Sequence, residues 1–149
     1  MNVGTLCTRN VTTAPRDTTV AEAAKQMRRR HVGDVVVVDN ARGKVVPVGI
    51  VTDRDIVISV VAPDLDAKVF TVGDMLLKPA ITCREADDVA VCLESMRVNA
   101  IRRMPVVDKK GALVGIVCID DLIGFLANQF TAVSKLITRE RAIEKKTRV

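Results

Sequence analysis

The strongest constraint in the sequence is an internal repeat. The phrase VGIVTDRDI at residues 48–56 returns as VGIVCIDDL at residues 114–122. At an offset of 69 residues Thr13 aligns with Thr82, and the offset falls to 66 after a loop that is three residues longer in the first copy. Surface loops tolerate such differences in length. The chain is therefore predicted to contain two copies of one unit of about 60–70 residues.

Each copy has the same predicted order of elements. A short extended piece precedes a polar pair that can cap a helix, Thr18–Thr19 in the first copy and Asp87–Asp88 in the second. Two apolar strands joined by a glycine-containing turn follow the helix, and a second helix closes the unit. This order predicts a mixed α/β fold of two β-α-β-β-α repeats that pack with pseudo-twofold symmetry. The predicted apolar helix faces are Val20, Ala23, Ala24 and Met27, and Val89, Cys92, Leu93 and Met96.

The repeat divides the chain into residues 1–66, residues 67–130 and a basic helical tail at 131–149. At 149 residues and 48% hydrophobic composition, the chain is long enough to bury a core that both copies share. Because no apolar run reaches the ~18 residues of a membrane span and the start does not resemble a secretory signal, we expect a cytoplasmic protein with no membrane partner.

Charge and aromatic content bear on nucleic-acid binding. The net charge is +5, but residues 135–149 alone contain six basic and two acidic residues, so the rest of the chain is nearly neutral. A basic tail of this kind is typical of a solvated helix end. The chain has three phenylalanines and no tryptophan or tyrosine, which leaves few stacking platforms for single strands. The composition therefore disfavours a nucleic-acid partner.

Catalytic and metal-binding patterns are missing from the sequence. The four cysteines Cys7, Cys83, Cys92 and Cys118 form no CxxC pair, and His31 is the only histidine, so no zinc site is expected. The thiols are expected to be reduced and packed as small apolar groups. No nucleophile with an adjacent base and no phosphate-binding loop is recognisable. We therefore predict that the chain is not an enzyme.

Three features resemble the cystathionine-β-synthase (CBS) domain family, as a tandem pair or Bateman module: the duplicated Val-Val-Asp strand end, which reads Pro-Val-Val-Asp in the second copy, the Gly-Ile-Val-Thr-x-x-Asp phrase and the unit length. The resemblance covers residues 3–130. It implies a regulatory module that binds an adenosine-containing ligand, AMP, ADP or ATP, between the two repeats. It also implies a homodimer that signals to a protein which the sequence does not identify.

Two uses of Thr52 and Asp55 are open from the residues alone. They can form a capping box at the start of the second helix, and the same helix start can present N–H groups to a phosphate and a carboxylate to ribose hydroxyls. The resemblance implies the second use, with Asp55 on the ribose. It also implies a cleft completed by the other repeat, with basic residues for phosphate. The residues predicted for this first cleft are Thr52, Arg54, Asp55, Lys78, Ile81, Thr82, Ile101, Arg102 and Arg103.

The corresponding second cleft is predicted to bind weakly or not at all, because Cys118 replaces the threonine and the carboxylates of Asp34 and Asp120 repel an anion. Its predicted residues are Val32, Gly33, Asp34, Cys118 and Asp121. The alternative function is a scaffold for dimerisation with no ligand, and a third is a nucleic-acid accessory role of the basic tail. The apolar spacing from Phe125 to Arg141 predicts a continuing helix, which either packs within the chain or lies across a dimer partner.

Overall fold

The computed structural model describes residues 1–148 as two similar α/β units. The helices and strands, in chain order, are β1 (Thr13–Pro15), α1 (Val20–Arg30), β2 (Asp34–Ala41), β3 (Lys44–Thr52), α2 (Asp53–Ile56), β4 (Cys83–Arg84), α3 (Val89–Asn99), β5 (Arg103–Val107), β6 (Leu113–Cys118) and α4 (Ile119–Thr147). A π-helical segment, Val57–Val61, continues α2, and a short 3-10 helix spans Val3–Thr5. The mixed α/β repeat predicted from the sequence is confirmed.

Each unit contains a three-stranded sheet of the same topology. In the first, β1 pairs in parallel with β2, and β2 pairs antiparallel with β3. In the second, β4, β5 and β6 repeat this arrangement. The hairpin turns contain Gly43 and Gly111 at φ values of +75° and +82°, which glycine adopts without steric cost. The predicted strand–turn–strand pairs are therefore correct in both copies.

Helices α1 and α3 begin at the predicted capping residues. The Thr19 hydroxyl accepts the Glu22 N–H at 3.2 Å, and the Asp88 carboxylate accepts the Ala90 N–H at 2.9 Å. Their buried faces are narrower than expected, because Ala24 and Leu93 are exposed while the adjacent Ala23 and Cys92 are buried. The prediction that Ala24 and Leu93 lie on the packed faces of these helices is therefore wrong. Spacing alone does not distinguish the centre of a buried stripe from its edge.

The segments that precede the two repeats cross over to the opposite unit. Val3 is buried in the second core and donates its N–H to the Asp87 carbonyl at 2.8 Å. The equivalent Val72 is buried in the first core and donates to the Thr18 carbonyl at 2.8 Å. The sequence boundary at residue 66 follows the repeat, but packing extends the first unit through the segment 67–76. Each unit is thus completed by a segment that lies outside its own repeat.

The last helix is much longer than its counterpart in the first repeat. Helix α4 has 29 residues, of which Leu122 is the buried one, and every described residue from 126 to 148 is exposed. The predicted continuation of the helix is therefore confirmed, and it does not pack within the chain over residues 1–148. In the same range, no helix combines the length and apolar character needed to cross a membrane.

Candidate functional site

The first copy of the repeated phrase ends a strand and starts a helix, as predicted. Thr52 is the last residue of β3 and caps α2, with its Oγ1 accepting the Asp55 N–H at 3.1 Å. The Asp55 carboxylate in turn accepts the Thr52 N–H through Oδ2 at 2.8 Å. Within residues 1–148, the Thr52 hydroxyl hydrogen and Asp55 Oδ1 have no hydrogen-bond partner. The capping box therefore leaves one donor and one acceptor available to a ligand.

The second copy reaches the same position with different chemistry. Cys118 is the last residue of β6, and its N–H donates to Asp121 Oδ2 at 2.8 Å. The thiol also donates to this oxygen, at a sulfur–oxygen distance of 3.1 Å. Burial and this hydrogen bond to Asp121 raise the pKa of the Cys118 thiol, so that it is protonated at neutral pH. Thr52 therefore keeps a side-chain hydrogen for a ligand, whereas the thiol hydrogen of Cys118 is already donated to Asp121.

The glycine of each phrase lets a crossing segment approach its strand. A Cβ atom on Gly115 would lie 2.6 Å from Cys7 Sγ and 3.0 Å from the Thr8 carbonyl oxygen. A Cβ atom on Gly49 would collide with the side chain of Leu76. Cys7 and Leu76 occupy equivalent positions of the repeat. The VGIV sequence that both copies share thus allows the crossing segments to pack. The two copies differ chemically in the residues that follow it.

An ion pair links the two units beside these helix starts. Arg103 Nη1 lies 2.6 Å from Asp34 Oδ1, with the two side chains 31% and 19% exposed. Asp34 pairs with Thr52 across β2 and β3, and Arg103 pairs with Cys118 across β5 and β6. The sequence prediction assigns Arg103 to a basic cleft and Asp34 to an acidic one. The structure instead brings them together, and the Asp34 carboxylate neutralises the Arg103 guanidinium. The predicted difference in charge between the two clefts is therefore smaller than expected.

The other residues predicted beside each cleft mainly contact their own repeat. The Gly33 carbonyl accepts the Asp53 N–H at 3.0 Å, and the Arg102 carbonyl accepts the Ile119 N–H at 2.8 Å. Asp53 also lies against Gly33, where a Cβ atom would be 3.1 Å from its carboxylate. The prediction did not include Asp53, although its place directly after Thr52 is a usable signal. The Arg103–Asp34 ion pair is the direct polar contact that crosses from one repeat to the other at this position.

Three further predicted residues lie on the segment that leads into β4. Lys78 is exposed and lines an open depression of about 360 Å³ beside Pro47 and Val48. Val48 precedes Thr52 by four residues, roughly 13 Å along a strand. Ile81 packs against the second core, and Thr82 is exposed immediately before β4. The structure therefore does not bring Lys78 to the Thr52 helix start.

Val32 and Ile101, the remaining predicted residues, occupy equivalent positions. Each donates its N–H to a carbonyl of the preceding helix, Val32 to Met27 at 3.1 Å and Ile101 to Met96 at 3.0 Å. Ile101 also packs against the second core, whereas Val32 is exposed. They fix the exits of α1 and α3, after which the chain enters β2 and β5.

Comparison with known proteins shows the family. The CBS domain model matches residues 3–62 and again residues 72–128. The chain belongs to the CBS domain family. Its two repeats form a tandem CBS pair, and the resemblance drawn from the repeated phrase is confirmed. The two matched ranges also leave out the distal part of α4.

Relatives of this CBS pair include proteins with solved structures. The CBS domain protein PAE2072 from Pyrobaculum aerophilum, solved in complex with AMP, is 33% identical with a TM-score of 0.74, over 82% of this chain and 90% of that one. A hexameric CBS-CP12 protein from bloom-forming cyanobacteria is 25% identical with a TM-score of 0.74, over 99% of this chain and 90% of that one. A Methanopyrus kandleri protein is 36% identical over 83% of this chain, which spans 61% of that relative.

Proposed function

We propose that this CBS pair is a cytoplasmic regulatory module that binds an adenosine nucleotide of the AMP, ADP or ATP class. The observation that carries the proposal is the Thr52–Asp55 helix start, which retains an unused hydroxyl hydrogen and an unused carboxylate oxygen. The AMP complex of the Pyrobaculum aerophilum relative supports the ligand class. Vicinal ribose hydroxyls are suited to these groups because each hydroxyl both donates and accepts a hydrogen bond.

The proposed site consists of Thr52 and Asp55 for the ribose, with Arg54 and Arg103 for phosphate. Arg54 is exposed on the first turn of α2. Arg103 reaches the Thr52 side of the junction through its ion pair with Asp34, and its Nε and Nη2 groups have no protein acceptor within residues 1–148. Charge-assisted hydrogen bonds from a guanidinium to phosphate are worth about 1.5–3 kcal/mol each. Arg103 can therefore contribute to affinity while Asp34 still holds it.

Signalling is proposed to pass through the same junction. A phosphate bound to the free Nε or Nη2 group of Arg103 shares the guanidinium charge with Asp34, and so weakens the contact that links the first unit to the second. Such coupling is reciprocal, because a partner protein that prefers one arrangement of the units must also change the nucleotide affinity. We propose that the regulated partner is a protein that binds this junction or the helices next to it.

The second candidate is a dimerisation scaffold without a physiological ligand. Exposed apolar residues on the π-helical continuation of α2 and on α3 favour self-association. These residues are Val57, Ile58, Val61, Val91, Leu93 and Val98. We include association with further copies of the chain in the proposed function, because the cyanobacterial relative is hexameric.

A thermal-shift panel with AMP, ADP, ATP, S-adenosylmethionine and NADH tests the proposal, together with native mass spectrometry of the purified chain. We expect the unfolding temperature to rise with at least one of AMP, ADP and ATP, since a ligand that binds the folded state stabilises it. Stabilisation by S-adenosylmethionine or NADH alone would contradict the proposed ligand class. No shift with any compound, and no co-purified nucleotide, would favour the scaffold.

A further inference from the structure

Helix α4 presents an apolar stripe that nothing covers within residues 1–148. The exposed stripe residues are Ile123, Leu126, Phe130, Val133 and Ile137. They recur at alternating intervals of three and four residues, which is the spacing of a coiled-coil seam. Phe130 at its centre is 75% exposed. A free helical segment with this stripe is marginal in water, because most helical stability in proteins comes from packing such a face.

The same helix has a polarised charge distribution. Its first turn contains Asp120 and Asp121 and no basic residue, and its last turn contains Lys145 and Lys146. Between residues 135 and 148, six basic residues outnumber two acidic ones. Two such helices side by side in parallel would place lysines against lysines. In the antiparallel orientation, each acidic start meets the basic end of the other helix, and the helix dipoles are also opposed favourably.

We infer that α4 binds the α4 helix of a second copy of this chain in antiparallel orientation, along the stripe centred on Phe130. Knobs-into-holes packing then places Phe130 of one copy opposite Val133 of the other, and Leu126 opposite Ile137. In this register Asp120 lies within one turn of Lys145 in the second copy. The contact rests on the proposed self-association of the chain and is independent of nucleotide binding.

The paired segment is long enough for a stable contact. The exposed part of α4, residues 126–147, extends for roughly 33 Å at 1.5 Å per residue. The contacts of Phe130 with Val133 and of Leu126 with Ile137 form an apolar centre. Polar residues lie on both sides of it, which is the composition of a specific interface. The surface differs from the exposed apolar residues of the π-helical segment and of α3, so its contribution can be tested separately.

Sedimentation velocity of the wild-type chain, Phe130→Glu and the control Asn128→Glu tests the apolar contact. Phe130 and Asn128 are both exposed, so neither change disturbs the core, but Asn128 lies outside the stripe. We expect Phe130→Glu to raise the dissociation constant of the self-associated form at least about tenfold, because buried aromatic residues dominate interface energies. Asn128→Glu is expected to leave it unchanged.

Zero-length carbodiimide cross-linking of a mixture of isotope-labelled and unlabelled chains tests the orientation. Antiparallel helices yield mixed-isotope peptides that join Asp120 or Asp121 to Lys145 or Lys146, whereas parallel helices do not. A monomeric wild-type chain would contradict the proposed self-association as a whole. An unchanged dissociation constant in Phe130→Glu, or the absence of such peptides, would overturn this inference and leave association through another face. Neither result bears on whether the chain binds a nucleotide.

Discussion

The two helix starts at Thr52 and Cys118 have the same backbone geometry but different hydrogen-bonding capacity. In both, a carboxylate three residues ahead accepts the capping N–H at 2.8 Å. Thr52 keeps its hydroxyl hydrogen available, whereas the Cys118 thiol donates its hydrogen to Asp121. The comparison shows that a repeated motif can preserve a helix start in both copies and keep an unused hydrogen-bond donor in one of them. The variants below test this difference.

Replacement of Asp55 by alanine is expected to have the largest effect. The variant loses the carboxylate oxygen proposed to bind the ribose, and a charge-assisted hydrogen bond of about 1.5–3 kcal/mol corresponds to a loss of affinity of at least about tenfold. Asp121→Ala is a matched control, because Asp121 performs the same capping in α4. We expect both variants to lose similar stability and only Asp55→Ala to lose nucleotide binding, measured by calorimetry. Equal losses of affinity would remove the distinction between the two sites.

Alanine at the two equivalent glycines compares the packing of the crossing segments. Gly115→Ala places a methyl group 3.0 Å from the Thr8 carbonyl, which is fixed by its hydrogen bond with the Ile116 N–H. We expect a loss of about 2 kcal/mol in the free energy of unfolding, measured by urea denaturation. Gly49→Ala meets the end of the Leu76 side chain, which can change rotamer, and is expected to cost less. A larger cost at Gly49 would contradict this account of the repeat.

Exchange of the capping residues isolates the hydroxyl. Thr52→Cys gives the first helix start the chemistry of the second, and its nucleotide affinity is expected to fall about fivefold, the equivalent of one hydrogen bond of ~1 kcal/mol. Cys118→Thr is the reciprocal variant and is expected to leave affinity at the first site unchanged. Titration by calorimetry or by nucleotide fluorescence measures both. An unchanged affinity in Thr52→Cys would show that the free donor is not used.

The ion pair between Asp34 and Arg103 is expected to give the smallest effect on stability. A partly exposed pair contributes about 0.2–1 kcal/mol, and a double-mutant cycle with Asp34→Asn and Arg103→Gln measures it. The charge-swapped variant Asp34→Arg with Arg103→Asp is expected to recover the coupling but to reduce nucleotide affinity, since it places a carboxylate where Arg103 was. Zero coupling energy would mean that this contact does not link the units.

The repeat made most of the fold predictable. Periodicity and capping residues identify α1 and α3, and the glycine turns identify both hairpins, because these features depend on neighbouring residues. The crossing of Val3 and Val72 to the opposite units was not predicted, since a buried valine has the same sequence signature whichever core receives it. The wrong prediction for Ala24 and Leu93 has a similar cause, because the width of a buried helix face depends on the tertiary neighbour.

The candidate site was predictable where it coincides with a local motif. Thr52 and Asp55 lie where the repeated phrase places them, and so do Cys118 and Asp121. The Asp34–Arg103 contact joins residues 69 positions apart, and nothing in the local sequence indicates that equivalent positions of opposite charge meet. Lys78 lies beside Val48 and not at the Thr52 helix start because of the path of the crossing segment, which local composition does not encode.

The stoichiometry of nucleotide binding shows whether one helix start or both bind a ligand. Isothermal titration calorimetry of the wild-type chain with AMP, ADP and ATP measures how many of the two related helix starts bind a ligand. With the best-binding nucleotide, we expect one site per chain, which is lost in Asp55→Ala and retained in Asp121→Ala. Two equivalent sites per chain, or one site that depends on Asp121, would contradict the assignment of the ligand to the Thr52 helix start.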